Sequence, residues 1–276
     1  MDAAALIGTA APRLTAAGID SARLDAELLL AHALGIDRTR LFTRLRDPVA
    51  PAAADAFTAL LERRLRREPL AYLTGAQEFW SLRFAVTPAV LIPRPETELL
   101  VELALAVQPA PRQVLDVGTG SGCIAVAIAR ELPDAQLTAV DHSPDALAVA
   151  RQNAAAHGVA ERIEWATGDV YDGLPADAAF DLIVSNPPYL APGDAASPET
   201  NFEPRTALFA GADGLDVLRR LLADAAAHLR PGGHIMIEIG QGQADRVSEL
   251  ASAAGLVGAR VVPDLAGIPR TLVAAR

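Results

Sequence analysis

Val114-Leu115-Asp116-Val117-Gly118-Thr119-Gly120-Ser121-Gly122 reads as an apolar strand that runs into a glycine-rich turn, with a helix beginning at Cys123. Glycines let the backbone turn tightly and approach a ligand closely, and a helix N-terminus offers free N–H donors. From this stretch to the end of the chain, strand-like and helix-like segments alternate. The pattern predicts strands over 113–117, 136–141, 162–166, 180–185, 234–239, 258–262 and 270–274, with helices over 123–132, 144–157 and 215–229. Alternation of this kind implies an α/β fold with a mostly parallel sheet and helices on both faces. Ligands of such folds sit beyond the C-terminal ends of the strands.

Upstream, the first seventy or so residues read as short helices. Leu24, Leu28, Leu29 and Leu30 recur at helical spacing over 21–34, with Ser21 as an N-cap and Gly35 as a stop, and a further helix is expected over 52–67. Phe79, Trp80, Leu82, Phe84 and Val86 mix aromatic and alternating apolar positions, which suggests a β-hairpin punctuated by Pro88, Pro93 and Pro95. The expected organisation is a helical domain over 1–75 that docks a substrate, a hairpin connector over 76–95, and a catalytic domain over 96–276.

Bulk properties narrow the class. The chain has 276 residues, 51% of them hydrophobic, enough for one large domain and a small one. No apolar run is long and clean enough to span a bilayer, and residues 1–13 lack the basic flank and apolar stretch of a signal peptide. With one cysteine there is no internal disulfide. A soluble cytoplasmic protein is expected. The formal net charge of −10 argues against gripping nucleic acid along its backbone. All 24 basic residues are Arg, which together with the abundant Ala looks like a coding bias.

The glycine loop has a competitor in the dinucleotide-binding fingerprint G-x-G-x-x-G. Here the glycines fall at 118, 120 and 122, and position 123 is Cys. Asp116, two residues before the first glycine, suits a cationic amine better than a pyrophosphate. S-adenosylmethionine carries an ammonium and a sulfonium and no phosphate. Asp141 closes the second strand, where an acidic residue can accept both ribose hydroxyls, the alternative being a cap for the helix that starts near Pro144. Asp169 follows the third strand. It is either a partner for an adenine amino group, with Val170 against the ring, or a simple turn aspartate.

Phe180-Asp181-Leu182-Ile183-Val184-Ser185-Asn186-Pro187-Pro188-Tyr189 carries the chemistry. A buried-looking strand delivers Asn186 at its end, and a residue before Pro is pushed to extended backbone. Pro187 and Pro188 fix φ and remove N–H donors. The loop is stiff, rich in acceptors and poor in donors. An amide or aromatic amine nitrogen is a poor nucleophile because its lone pair is delocalised. The Asn186 side-chain oxygen and the Pro187 carbonyl can each accept one of its N–H bonds and aim it at a methyl group. Tyr189 can pack flat on the planar group. The bland alternative is a Pro-rich loop that ends a strand. The tetrad alone leaves the acceptor open between the exocyclic amine of a nucleic-acid base and the amide of a protein glutamine. A cofactor-binding protein without catalysis is a third reading, against which the intact tetrad speaks.

Blocks outside the shared core distinguish these. They are Pro69-Leu70-Ala71-Tyr72-Leu73-Thr74-Gly75, Glu78-Phe79-Trp80 and Leu91-Ile92-Pro93-Arg94-Pro95-Glu96-Thr97-Glu98. Further along come Glu203-Pro204-Arg205-Thr206-Ala207-Leu208, Gly211-Ala212-Asp213-Gly214-Leu215, Glu238-Ile239-Gly240-Gln241-Gly242-Gln243 and Asp264-Leu265-Ala266-Gly267. With these, the chain from about residue 60 onward resembles the bacterial release-factor glutamine methyltransferases of the HemK/PrmC family. The resemblance implies N5-methylation of the glutamine in the Gly-Gly-Gln motif of class I peptide-chain release factors, with S-adenosyl-L-methionine as cofactor. It implies a seven-stranded Rossmann-like methyltransferase domain with a small N-terminal helical domain and a β-hairpin connector. Cofactor contacts would fall on Gly118, Thr119, Gly120, Ser121, Gly122, Asp141, Val170 and Asn186, to which the reading of the residues themselves adds Asp169. The glutamine would be held by Asn186, Pro187, Pro188 and Tyr189, with Asn186, Pro187 and Tyr189 catalytic. Position 170 is often aromatic in the family, and Val170 departs from it. No metal, membrane or nucleic-acid partner is expected, and the protein is expected to be a monomer.

Other residues carry weaker claims. Arg63, Arg64, Arg66 and Arg67 read as a solvated helix end, with docking to an acidic partner as the alternative. Cys123 is either a small packing residue or a thiol activated at a helix start. His142 and the other histidines lack metal-ligand spacing. Residues 190–202 are either a flap over the substrate or a surface loop.

Overall fold

The computed structural model describes residues 1–175, 177–194 and 197–276. The chain divides into two compact units, Met1–Ala76 with Ser197–Phe202, and Gln77–Ala196 with Glu203–Arg276.

The first unit is helical: α1 (Ala3–Ala16), α2 (Ala22–Leu34), α3 (Arg38–Thr43), α4 (Pro51–Leu65) and α5 (Leu70–Thr74). Leu14, Leu29, Leu30, Leu41 and Phe57 form its buried centre. Gly35 ends α2 in the left-handed conformation, φ 64°, which suits a residue without Cβ. Ser21 stands before α2, but its side chain does not cap the helix. Its hydroxyl donates instead to Asp25 at 2.7 Å.

Asp25 explains the arginine run. Its buried carboxylate also receives Arg64 Nε at 2.7 Å, both side chains being under a tenth exposed. Arg64 reaches Glu199 as well, at 3.1 Å. Arg67 donates to Glu199 at 2.9 Å and to the carbonyls of Ala17 and Gly18. Arg63 is paired with Glu68. Of the run, Arg66 is exposed and pairs with none of the described residues. The expected solvated helix end is therefore an internal tie. Acceptors far apart in the chain define it, and local sequence cannot reveal them.

The hairpin follows, β1 (Ala76–Phe79) and β2 (Leu82–Ala85), and from Gln77 on it belongs to the second unit. Trp80 and Ser81 make its turn with φ of 52° and 56°, the twist a tight hairpin needs, without the usual glycine. The Glu98 carboxylate accepts the Trp80 N–H at 2.7 Å and holds the turn. Phe79 and Phe84 are fully buried in this unit's core with Leu100 and Ile124. The segment expected as a connector is thus structurally part of the second unit.

After α6 (Glu98–Leu105) come β3 (Gln113–Val117), α7 (Cys123–Glu131), β4 (Gln136–Asp141), α8 (Pro144–Ala156), β5 (Ile163–Thr167) and β6 (Phe180–Ser185). Then follow α9 (Asp216–His228), β7 (Leu229–Glu238), α10 (Ala244–Ala253), β8 (Val257–Pro263) and β9 (Pro269–Ala275). Among the described residues the sheet has seven strands in the order β5-β4-β3-β6-β7-β9-β8. The first five run parallel, and β9 is antiparallel to both its neighbours. The α/β fold expected from the alternation is present. The strand order reverses beside β3, so the carboxyl ends of β3 and β6 flank the crevice where such sheets bind ligands. Val117 pairs with both Val140 and Ser185. The glycine loop, the Asp141 turn and Asn186 therefore leave the sheet along one edge.

β7 starts earlier than the pattern suggests, because the Arg230-Pro231-Gly232-Gly233 stretch joins the ladder through an irregularity opposite Phe180. α6 and α10 lie where no helix was expected. Residues 190–202 include positions 195 and 196, which lie outside the described residues.

Removing Arg64 strands a buried carboxylate. Arg64→Ala is expected to destabilise the helical unit by about 3–5 kcal/mol, whereas Arg66→Ala stays within about 0.5 kcal/mol. Urea unfolding of the two variants separates the internal tie from a solvated helix end.

Candidate active site

The glycine loop folds as its composition demands at three positions. Gly118, Gly120 and Gly122 have φ of 71°, 55° and 79°, a region costly for residues with a Cβ. The N–H groups of Gly118 and Thr119 both donate to the Val140 carbonyl, at 2.8 and 3.0 Å, which ties the loop to the end of β4. Gly118, Thr119, Gly120 and Ser121 line a cavity of about 600 Å³, within the range of small-molecule sites. Gly122 does not join them. It is buried, and a methyl group there would lie 3.0 Å from Ala150 Cβ. In the fold it takes the left-handed turn into α7 and lets α7 pack closely on α8.

Asp116 is fully buried beneath the loop and is absent from the cavity lining. Its Oδ2 accepts the Thr119 hydroxyl at 2.6 Å, and its Oδ1 has no partner among the described residues. Burial pushes its carboxyl up to about 7, opposed chiefly by the Thr119 hydrogen bond. Its field can act on a cation in the cavity only through the loop.

Asp141 lines the cavity. One carboxylate oxygen accepts the Gly120 N–H at 2.9 Å and the other the Ser143 N–H at 2.9 Å. It is not the cap of α8, because the Ser143 side chain caps Ala146. Each oxygen keeps a second lone pair for a hydroxyl donor. Asp169 and Val170 line the same cavity. Asp169 is exposed and forms an ion pair with Arg220 at 2.9 Å. Val170 has φ 61°, an uncommon and strained state for a β-branched residue.

At the end of β6, Ser185 donates to the Val117 carbonyl at 2.7 Å and locks the strand end against β3. Asn186, Pro187 and Pro188 line the cavity and Tyr189 does not. Asn186 Nδ2 donates to Thr97 Oγ1 at 2.9 Å, and the Thr97 hydroxyl donates to Glu238 at 2.7 Å. No described residue donates to Asn186 Oδ1 or to the Pro187 carbonyl. The Tyr189 hydroxyl donates to the other Glu238 oxygen at 3.2 Å, and Gln243 donates to the Tyr189 carbonyl at 3.0 Å. Burial and the Glu238 charge both raise the Tyr189 phenol above its ordinary range.

Several residues important to this geometry carry no readable signal in the sequence. Asn153 on α8 is buried and bonds Ala85 N–H, the Ala85 carbonyl and the Ser121 carbonyl, so one amide joins hairpin, helix and glycine loop. Glu203 accepts the Ile92 N–H at 3.1 Å and pairs with Arg94 at 2.5 Å. It thereby holds the 91–98 and 203–208 blocks together, and Leu91, Pro93, Pro204, Thr206 and Ala207 from them line the cavity. Thr97 and Glu238 lie inside quoted blocks but had no role there. Cys123 is buried with its thiol pushed up to about 12 by burial, consistent with a packing residue. No group of His, Cys, Asp and Glu among the described residues could hold a metal ion.

The cavity suits a cationic nucleoside better than a phosphate. Arg220, a cation on its wall, is paired with Asp169, while Asp141 remains free to receive hydroxyls. The unpaired Ser121 hydroxyl on the cavity lining is a polar atom of the kind that a bound ligand or its water can satisfy.

Residues 5–75 match the family described as the PrmC N-terminal domain, and residues 95–201 match the methyltransferase small domain. A release factor glutamine methyltransferase of Cereibacter sphaeroides is 50% identical over 100% of this chain and 99% of its own. One of Geobacter sulfurreducens is 46% identical over 92% and 90%. A solved T. thermophilus 16S rRNA N2 G1207 methyltransferase, in complex with AdoMet and guanosine, covers 73% of this chain and 49% of its own. Its TM-score is 0.55 at 22% identity, a likeness of fold.

The folded-state pKa of Asp116 lies above its unfolded value, so the native state holds the extra proton between roughly pH 4 and 7. Its contribution to stability is complete below that window and is lost as pH rises through it. Denaturation of wild type and Asp116→Asn should therefore diverge across that window, with wild type losing stability relative to the variant. Parallel curves would show that Asp116 is not buried as an acid.

Proposed function

The chain belongs to the release factor glutamine methyltransferase family, and on that premise we propose that it methylates the glutamine of the Gly-Gly-Gln motif in class I peptide-chain release factors. The methyl group goes to the side-chain amide nitrogen, N5. Bound S-adenosyl-L-methionine supplies an electrophilic methyl group on a sulfonium. The loop of Gly118, Thr119, Gly120 and Ser121 borders its methionine part, and Asp141 receives the ribose hydroxyls on its free lone pairs. Val170 and Asp169 border the adenine, Val170 in place of an aromatic ring. Gly122 serves this site by packing α7 on α8 rather than by contact.

The observation that carries the reading is the pair of unclaimed acceptors, Asn186 Oδ1 and the Pro187 carbonyl, at the end of β6. Each accepts one N–H of the glutamine amide, which fixes the direction of the nitrogen lone pair. As the nitrogen–methyl bond forms, the nitrogen becomes strongly acidic and its proton passes to solvent, so no base need act first. Positioning of this kind can supply up to about 7–11 kcal/mol of the barrier in favourable cases. Pro188 stiffens the loop. Tyr189, with its hydroxyl on Glu238, sets where the loop goes. The helical domain is read as the docking part for the release factor body, with the enzyme acting as a monomer. No observation favours a nucleic-acid base as acceptor. Among the described residues no helix is long and apolar enough to cross a membrane.

Incubation with labelled cofactor and a class I release factor should label the factor, and a Gln→Ala change in its Gly-Gly-Gln motif should abolish the label. Persistent labelling of that mutant sinks the glutamine assignment. Asn186→Ala should lower kcat by about 10²–10³-fold while retaining most cofactor affinity.

A further inference from the structure

Asn186 can serve only if its amide presents oxygen, not nitrogen, to the cavity. An Asn side chain has little intrinsic preference between these orientations, so something must impose one. The parallel register pairs Ser185 with Ile237, which brings Glu238, the next residue on β7, level with Asn186. Thr97, on the 3-10 turn Pro95–Thr97, stands between them. Both Thr97 and Glu238 are buried, at 2% and 1% exposure.

The polarity of this chain follows from counting protons. In its ionised form, which burial opposes and the Thr97 and Tyr189 hydroxyls and Arg270 favour, Glu238 only accepts. Thr97 has a single hydroxyl proton, committed to Glu238 Oε2 at 2.7 Å. Its oxygen can then only accept, and it accepts from Asn186 Nδ2 at 2.9 Å. Asn186 Oδ1 is left without a donor among the described residues, on a side chain that lines the cavity. The other oxygen of the same carboxylate holds the Tyr189 hydroxyl at 3.2 Å, so one buried group fixes both ends of the tetrad. Arg270 and Glu96 are the further charged groups that act on Glu238.

We propose that Thr97 and Glu238 are positioning residues that set the orientation of the Asn186 amide, in a relay running from Asn186 through Thr97 to Glu238. The proposal rests on Asn186 being the group that holds the acceptor nitrogen.

The test uses the full-length enzyme with a release factor as substrate. Thr97→Val removes the hydroxyl at nearly constant shape. It should lower kcat by about 100-fold, with KM for the release factor and calorimetric cofactor affinity changed by less than about threefold. Thr97→Ser, which keeps the hydroxyl, should recover most of kcat. In an Asn186→Ala background, Thr97→Val should add less than about threefold, because it acts through a group already gone. If Thr97→Val fails to fold, judged by loss of cofactor binding, Glu238→Met tests the relay from its other end and should show the same kcat loss. An unchanged kcat in a cofactor-binding Thr97→Val or Glu238→Met enzyme overturns the relay. So does a Thr97→Ser enzyme as impaired as Thr97→Val, and so does full additivity with Asn186→Ala. If Asn186→Ala itself leaves kcat intact, the underlying reading of Asn186 fails instead.

Discussion

Two consecutive prolines at the end of a buried parallel strand leave the backbone with carbonyls and no N–H donors. That constraint governs the site. Asn186 precedes them in extended backbone, and with its amide nitrogen occupied by Thr97 it adds one more acceptor. The stretch from Asn186 to Pro188 therefore offers oxygen to whatever enters. A neutral amide nitrogen bears two protons and no accessible lone pair, so a wall of acceptors is complementary to it. A base at this position would have nothing useful to remove before methyl transfer.

The sheet turns that local property into a site. Because β3 lies between β4 and β6, their C-terminal turns converge, and the glycine loop, Asp141 and Asn186 line one cavity. Hydrogen bonds from Gly118 and Thr119 to Val140, from Gly120 to Asp141, and from Ser185 to Val117 cross between neighbouring strand ends. Asn153 and Glu203 tie in the hairpin and the 91–98 block. The cavity is bordered by groups whose own partners are mostly in place, which is the condition for pre-organised binding.

Much of this was legible in the sequence, and the reasons are physical. The alternation of strand-like and helix-like segments identified the sheet strands, and the central parallel ones stand out as apolar runs because the sheet is covered on both faces there. The left-handed positions at Gly118, Gly120 and Gly122 were visible because they need glycine. Gly122 is part of the same turn, but it faces Ala150 rather than the cavity, a helix contact that the sequence does not reveal. The arginine run near residue 65 misled for a related reason. A run of charges at a helix end says nothing about distant acids, and here Asp25 and Glu199 are its partners. Tyr189 was expected on the cavity wall, but its hydroxyl finds Glu238 and its carbonyl finds Gln243. Thr97, Asn153, Glu203 and Glu238 remained silent because a buried polar residue is meaningful only through partners that the fold supplies.

The account depends on the reacting nitrogen being held by oxygen acceptors alone. A crystal structure with S-adenosylhomocysteine and a glutamine-containing peptide measures this directly. The account predicts the glutamine amide nitrogen within about 3.2 Å of both Asn186 Oδ1 and the Pro187 carbonyl. An amide nitrogen bonded instead to an Asp, Glu or His side chain, with the Asn186 oxygen turned toward Thr97, would contradict it.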